Sequence, residues 1–335
     1  MHVTFVGEKP TGSAPCCSLA KTLEERGFRC SFLEEIESSS TAAWVRRARE
    51  SDVIILTVYN GPSDFMIRQL ALARLLGTRV VRWWVGTDVM KCLDNPLDQR
   101  QTNLLNRFLS VNVAVSPHLV DELLSIGIKS QYIASVTTLE PPANLSQRKT
   151  LPKSVLVYLP TNRKEFYGGP IVRSAISNNP DVQFLIVADE SHSLAKYSNV
   201  KSLGWVGNMS DVWDEVGILL RVTQHDGMPR MVLDALQRGK HVIFSWSFPG
   251  CVFADSEETV NAAIHELKTG MSVNNEGIAA VEAILNRCPA RQFDTLLRDS
   301  VESRDLGEAS QAFLSVLFQT LRVRWTEMCR KIKPT

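Results

Sequence analysis

Two carboxylates, Asp226 and Asp234, stand eight positions apart in the run Thr223-Gln-His-Asp-Gly-Met-Pro-Arg-Met-Val-Leu-Asp-Ala-Leu-Gln-Arg-Gly-Lys-His-Val-Ile-Phe-Ser245. Between them lie the signals that open a helix. Pro229 suits a first turn, where its missing N–H would have no acceptor and its fixed φ is already helical. Gly227 lets the backbone come close to a ligand. Gly239 ends the helix, and His241 to Phe244 reads as a short core strand. The start of such a helix offers unpaired N–H groups, here around Met228, and positive dipole potential to an anion such as a diphosphate. Asp226 precedes the helix and Asp234 lies about two turns along it, on the order of 10 Å away. That separation suits a ligand with hydroxyl groups on both sides of a phosphate, such as a nucleotide sugar. His225 offers a hydrogen bond to the sugar or phosphate, and Arg230, on the first turn, a further phosphate contact. Read without a ligand, the same stretch is an amphipathic helix with a solvated Asp234 and a turn at Asp226-Gly227.

The elements that would position these residues alternate. His2–Val6 is a short apolar strand, followed by the turn Gly7-Glu-Lys-Pro-Thr-Gly-Ser13. Ser13 is placed to cap a helix running to about Arg26. Strands are expected at Phe28–Leu33, Asp52–Val58, Thr78–Trp84 and Val111–Val115, with helices at Thr41–Arg49 and Ser63–Leu76. The run Val-Ile-Ile-Leu at 53–56 is typical of a strand buried on both faces of a parallel sheet. Ser116-Pro-His-Leu-Val opens a helix. Between Thr137 and Lys153 two prolines and a polar tail break the pattern and mark a linker at 138–153. Strands resume at Ser154–Leu159, Val182–Val187 and Ile218–Val222, with a helix from Ile171. After Ser256 the chain is mostly helical. Repeated strand–helix units of this kind predict doubly wound α/β domains. The expected division is 1–137, 154–308 and a final helix, 309–335, with a basic end.

Composition narrows the choice of function. A length of 335 residues favours two domains. The net charge of +1 argues against a nucleic-acid binder. Seven scattered cysteines without a Cys-x-x-Cys suggest reduced thiols in a cytoplasm. No apolar run is long enough for a membrane span and no leader is visible. The basic final helix suits packing onto the first domain or, alternatively, contact with an acidic membrane surface. The absence of Asp-x-Asp, Gly-x-Gly-x-x-Gly, Gly-x4-Gly-Lys-Ser/Thr, Gly-x-Ser-x-Gly and His-Glu-x-x-His weakens the readings as metal-dependent transferase, dehydrogenase, P-loop enzyme, hydrolase and zincin.

The 226–242 stretch resembles the Glu-x7-Glu segment of retaining glycosyltransferases of the GT-B fold, family 4 in particular. The family's usual form is Glu-Gly-x-Pro-x-x-x-x-Glu-Ala-x-x-x-Gly-x-Pro-Val. This chain keeps the spacing, Gly227, Pro229, Ala235 and Gly239, but has Asp for both Glu and His241 for the last Pro. The resemblance extends over nearly the whole chain. It implies two Rossmann-like domains facing a cleft, acceptor on the first and donor on the second. By resemblance, Asp226 lies near the donor sugar and Asp234 binds the ribose diol. Arg163 stands where the family has an Arg for the donor diphosphate, while Gly168 occupies the place of its Lys, leaving Lys164 as the nearby ammonium. Arg brings a planar fork to phosphate and Lys a point charge. Val85 replaces a family His before Gly86-Thr87-Asp88, which makes Asp88 the substitute candidate there. Gly12 and Ser13 occupy the family's Gly-rich first loop.

The expectation is a retaining hexosyltransferase of polysaccharide biosynthesis, moving a sugar from a nucleotide sugar to a glycan or lipid-linked acceptor. It would need no metal and no cofactor beyond that substrate. A non-catalytic GT-B-like partner subunit and a nucleotide-sugar epimerase are the alternatives. The expected location is cytoplasmic, with peripheral contact at the inner membrane face as the variant.

Overall fold

The computed structural model describes residues 1–7, 14–33, 41–57, 63–135 and 150–302. The chain divides into two compact units, Met1–Thr138 with Cys288–Thr335, and Leu139–Arg287. Each is a parallel six-stranded sheet covered by helices on both faces.

In the first unit the strands are β1 (His2–Val6), β2 (Arg29–Leu33), β3 (Val53–Leu56), β4 (Arg79–Trp84), β5 (Val111–Ala114) and β6 (Gln131–Tyr132). They lie in the order β2-β1-β3-β4-β5-β6. Alternate residues of each strand face opposite sides. Val3, Phe5, Val53, Ile55, Val81 and Trp83 pack with helices α1 (Pro15–Glu24), α4 (Thr87–Asp94) and α6 (Pro117–Ser125). Val6, Ile54, Leu56 and Val80 pack with α2 (Thr41–Glu50), α3 (Asp64–Leu75) and α5 (Pro96–Asn106). The cap of α1 is Ala14, followed by Pro15 in the first turn, rather than Ser13. Gly12 and Ser13 lie outside the described residues, as does most of the 138–153 linker.

The second unit contains β7 (Ser154–Tyr158), α7 (Gly169–Asn178), β8 (Gln183–Val187), β9 (Val200–Gly204), α8 (Ser210–Trp213), β10 (Ile218–Arg221), α9 (Arg230–Gln237), β11 (His241–Phe244), β12 (Cys251–Phe253), α10 (Glu257–Leu267) and α11 (Asn275–Asn286). The strand order is β12-β11-β10-β7-β8-β9. Val155, Val157, Ile218 and Leu220 face α7 and α10. Leu156, Leu219, Val242 and Phe244 face α8, α9 and α11. Helix α9 closes as expected at Gly239, with φ of +65°. There Gly239 N–H donates to Leu236 and Lys240 N–H to Ala235, the paired bonds of a Schellman ending. Its start differs by one residue, since Pro229 is the extended cap rather than the first helical residue.

The second unit ends earlier than the expected 308. The chain returns to the first unit at Cys288, and α12 (Pro289–Glu302) packs there. The reason is the apolar face of α12. Phe293 and Leu297 are fully buried in the first core, with Phe293 edge-on to Trp83 at 5.8 Å. Asp294 pairs with Arg26 at 3.5 Å. The expected final helix at 309–335 lies outside the described residues. The six described cysteines are free thiols. Among the described residues no helix is long and apolar enough to cross a membrane. Phe293→Ala should destabilise the first unit by about 3–5 kcal/mol, the usual cost of emptying a buried aromatic site. A denaturant midpoint equal to that of the native protein would contradict the anchoring role of α12.

Candidate functional site

The order of the second sheet reverses at β7, which pairs with β8 on one side and β10 on the other. Ligands of open α/β sheets bind outside the carboxyl ends of the strands at such a reversal. The segments after β7 and β10 carry Arg163 and Lys164, and His225 through Arg230, so the sequence candidates of this unit converge there.

The two segments are joined to each other. Gln224 N–H donates to the Phe166 carbonyl at 3.0 Å. Gly168 has φ of +66° and caps α7. A Cβ there would stand 3.0 Å from the Val222 carbonyl oxygen. Position 168 is therefore a glycine required by backbone conformation and close approach. Ser245, just past β11, accepts from Thr223 N–H and donates to the Thr223 carbonyl, both at 3.1 Å.

Asp226 is held by Arg221, the last residue of β10. Arg221 donates from Nε at 3.0 Å and Nη2 at 2.6 Å to Asp226 Oδ2. Oδ1 accepts from Gly227 N–H at 3.0 Å. The Arg221 guanidinium also stands 4.8 Å from the Tyr167 ring and 5.3 Å from Tyr158. Burial opposes its charge, but Asp226 outweighs burial and raises its pKa further. Burial and the neighbouring Tyr167 push the Tyr158 phenol up, which keeps it protonated. Asp234 accepts from the Trp213 indole at 2.7 Å on Oδ2 and from Arg238 Nε at 3.0 Å on Oδ1. His225 is buried edge-on to Trp246, ring centroids 5.4 Å apart. Gly227 and Met228 are buried, whereas Arg230 is exposed at the start of α9.

The two basic residues after β7 have different fates. The Arg163 guanidinium is exposed and lies 4.1 Å from the centre of the Phe166 ring. Among the described residues it forms no ion pair. Lys164 turns away and spends its three N–H bonds on Asp189 at 2.8 Å, Ser191 at 2.7 Å and Ser193 at 2.6 Å. Asp189, fully buried just past β8, also accepts from the backbone and hydroxyls of both serines. In this structure the Lys164 charge is neutralised by Asp189.

Asp88 lies in the first unit, at the start of α4. It is 3% exposed and accepts from the N–H groups of Val85, Gly86 and Val89, at 3.2, 2.8 and 3.0 Å. Burial raises its pKa against the pull of Arg82 and these bonds. Its carboxylate caps the turn into α4. A cavity of about 590 Å³ in the first unit lies against β6 and α12, and none of the sequence candidates lines it.

Arg221, Trp213, Arg238 and Asp189 escaped the sequence reading. Arg221 had a usable signal, a charge closing the otherwise apolar strand Ile-Leu-Leu-Arg. A cation in a buried strand needs a partner.

Solved structures resemble this chain along most of its length. HepE of Anabaena, in complex with UDP-glucose, matches with a TM-score of 0.65 and 15% identity, over 90% of this chain and 99% of HepE. Sucrose-phosphate synthase of Thermosynechococcus elongatus matches with a TM-score of 0.67 and 11% identity, over 89% of this chain and 98% of the synthase. A glycosyltransferase of Rickettsia africae ESF-5 matches with a TM-score of 0.61 and 13% identity, over 90% of this chain and 99% of that one. The fold is GT-B. At such identities the likeness concerns the fold and not individual side chains. No protein-family model matches this GT-B chain, and no curated protein sequence matches it.

The Asp189 network yields a pH test. Burial disfavours the Asp189 carboxylate, but Lys164 and the two serines outweigh it and hold the carboxyl well below the usual carboxylate range. The unfolded chain takes up the proton first, near the ordinary Asp value of about 3.9. The stability from this group is therefore complete above that value and declines as pH falls toward the folded value. One group contributes a slope of at most about 1.4 kcal/mol per pH unit. Asp189→Asn should lower stability at neutral pH and flatten its decline below about pH 4. An acid limb as steep as that of the native protein, in urea titrations, would contradict the assignment.

Proposed function

We propose that this protein is a glycosyltransferase that moves a sugar from a nucleotide sugar to a glycan or lipid-linked acceptor, with retention at the anomeric carbon. The observation that carries the reading is the pair of fixed carboxylates, Asp226 and Asp234, flanking the start of α9 at the strand reversal. The ligands of similar folds support it, since HepE is solved with UDP-glucose. The expected compartment is the cytoplasm, with membrane contact where the acceptor is lipid-linked.

In this reading the diphosphate lies by the first N–H groups of α9, Arg230 and Met231, which have no acceptor within the helix. The bond from the anomeric carbon to the diphosphate oxygen breaks, and negative charge grows on the leaving group. Arg163, held flat on Phe166 and free of an ion pair among the described residues, neutralises that charge. The sugar carries oxocarbenium-like charge, and the acceptor hydroxyl bonds to the same face while passing its proton to the departing diphosphate oxygen. Asp226, fixed by Arg221, accepts a hydrogen bond from a sugar hydroxyl. Asp234 receives the ribose hydroxyls. Positive charge from the protein takes the place of a metal ion.

One observation favours a second reading. Lys164 is engaged with Asp189 and Gly168 carries no charge, which leaves fewer cations for a leaving group and suits a non-catalytic partner subunit. A thermal-shift panel of nucleotide sugars separates the two, because stabilisation by a nucleotide sugar is expected only of the transferase.

Arg163→Ala should lower kcat by about 10- to 100-fold with a smaller effect on donor affinity, because the leaving-group charge is greatest in the transition state. Unchanged kcat and unchanged donor binding would leave the segment as a solvated turn. Activity should persist in excess EDTA, and NMR should find the donor's anomeric configuration kept in the product. Rescue of an EDTA-inhibited enzyme by Mg²⁺ would refute the charge argument, and an inverted anomeric signal would refute retention.

A further inference from the structure

The cavity of about 590 Å³ in the first unit has no part in the transfer proposed above. Ser110 and Val111 line it from the amino end of β5, and Gln131 and Tyr132 from the edge strand β6. Ligands of open parallel sheets bind outside the carboxyl ends of the strands, so this space lies apart from that end of the first sheet. Its size falls within the range of small-ligand sites, roughly 300–1,000 Å³.

The facing wall is one side of α12. Arg291, Thr295 and Asp299 follow at intervals of four residues, which sets them in a row along the helix, with Gln292 and Leu296 beside them. Phe293 and Leu297, on another side, are buried in the core and fix this wall in place. The neighbouring charges are committed to each other: Asp294 pairs with Arg298, and also with Arg26 at 3.5 Å. Among the described residues Arg291 and Asp299 form no ion pair. They stand about 12 Å apart along the axis, too far to pair with one another. The wall therefore offers a cation at one end, an anion at the other, and hydroxyl and amide groups between.

These features select a class of ligand. Balanced charge disfavours an anion such as a nucleotide, which Asp299 repels, and a polycation, which Arg291 repels. The edge strand β6 is two residues long, too short to be extended by a peptide strand. A sugar ring suits both kinds of surface. Its C–H face packs on apolar groups, here Val111, Ile133, Leu296 and the half-buried Tyr132. Its hydroxyls both donate and accept, which matches Gln131, Gln292, Thr295 and the two charged groups. We propose that this cavity, built wholly from the first unit, is a second carbohydrate-binding site that takes a neutral oligosaccharide of more than one ring. The choice of a glycan over other neutral polyols rests on the glycosyltransferase reading above.

The test applies the full chain to an array of neutral hexose and N-acetylhexosamine oligosaccharides, with sulfated and carboxylated glycans included, and follows the strongest binder by calorimetry. The native protein should bind a neutral oligosaccharide. Arg291→Ala and Asp299→Ala should each weaken that binding by about tenfold or more, the scale of a lost charged hydrogen bond. Both side chains are exposed, so neither change should move the denaturant midpoint. Thr295→Trp, which puts an indole into the cavity, should abolish binding. Failure to bind any neutral glycan, tighter binding of an anionic one, or undiminished binding by the variants overturns the proposal. Should one substitution disturb α12 and lower the midpoint, the other two decide. Thermal shifts with nucleotide sugars on the same proteins keep the two readings apart. Glycan binding lost from variants that nucleotide sugars still stabilise supports both. Glycan binding that depends on the cavity, in a protein that no nucleotide sugar stabilises, upholds the cavity and sinks the transferase.

Discussion

The reversal of strand order at β7 is the constraint on which the second unit's site depends. Because β7 pairs with β8 on one side and β10 on the other, the chain leaves the carboxyl ends of β7 and β10 toward opposite faces of the sheet. Helix α7 packs with α10 on one face, while α8, α9 and α11 cover the other. The segments between strand and helix must then part above the two central strands. Gln224 and Phe166 bridge them at backbone level, and Gly168 lets them approach within contact of Val222. The start of α9 opens beside this junction, so a dipole, its free N–H groups and two carboxylates share one region without any loop being long.

Charge at this region is almost wholly settled within the protein. Arg221 pairs with Asp226, Lys164 with Asp189 and Arg238 with Asp234. Pairs of this kind contribute little net stability when partly buried, since desolvation offsets much of the attraction. Their effect is to fix geometry, and breaking one leaves a charge in a poorly solvated place. Arg163 and Arg230, both exposed, are the guanidinium groups left facing solvent. In the proposed reading, an anion entering beside α9 would meet these two, while Asp226, Asp234 and Asp189 are each already engaged by a cation.

The elements of the fold were legible where apolar runs and helix punctuation coincide. Val53–Leu56 reads as a doubly buried strand and is one, and Gly239 ends α9 in the bonding pattern that such a glycine implies. The short strands β6, β9 and β12 carry no clear period, because two or three residues are too few to show one and Val-Lys-Ser-Leu-Gly is interrupted by polar residues. The early return to the first unit was missed for a different reason. Phe293 and Leu297 mark an apolar stripe, but nothing local tells which core receives it. The same limit governs side chains. Asp88 and Lys164 have the chemistry of site residues, and only tertiary contacts reveal that backbone amides and Asp189 already occupy them.

The contacts of Asp226 and Asp234 both depend on a short acidic side chain. An Asp carboxylate stands one methylene nearer its backbone than that of Glu and has one fewer rotatable bond to order. At position 226 that shorter reach lets Arg221, five residues back at the end of β10, take one carboxylate oxygen with two donors while Gly227 N–H takes the other. At position 234 it keeps the carboxylate low enough for an indole rooted in the core. In the proposed glycosyltransferase reading, the withdrawn carboxylates require a ligand to come closer to the backbone than longer side chains would, and a glycine at 227 suits that approach. Shorter acids, dedicated donors and a glycine at the helix entrance are thus parts of one arrangement, in which rigidity replaces reach.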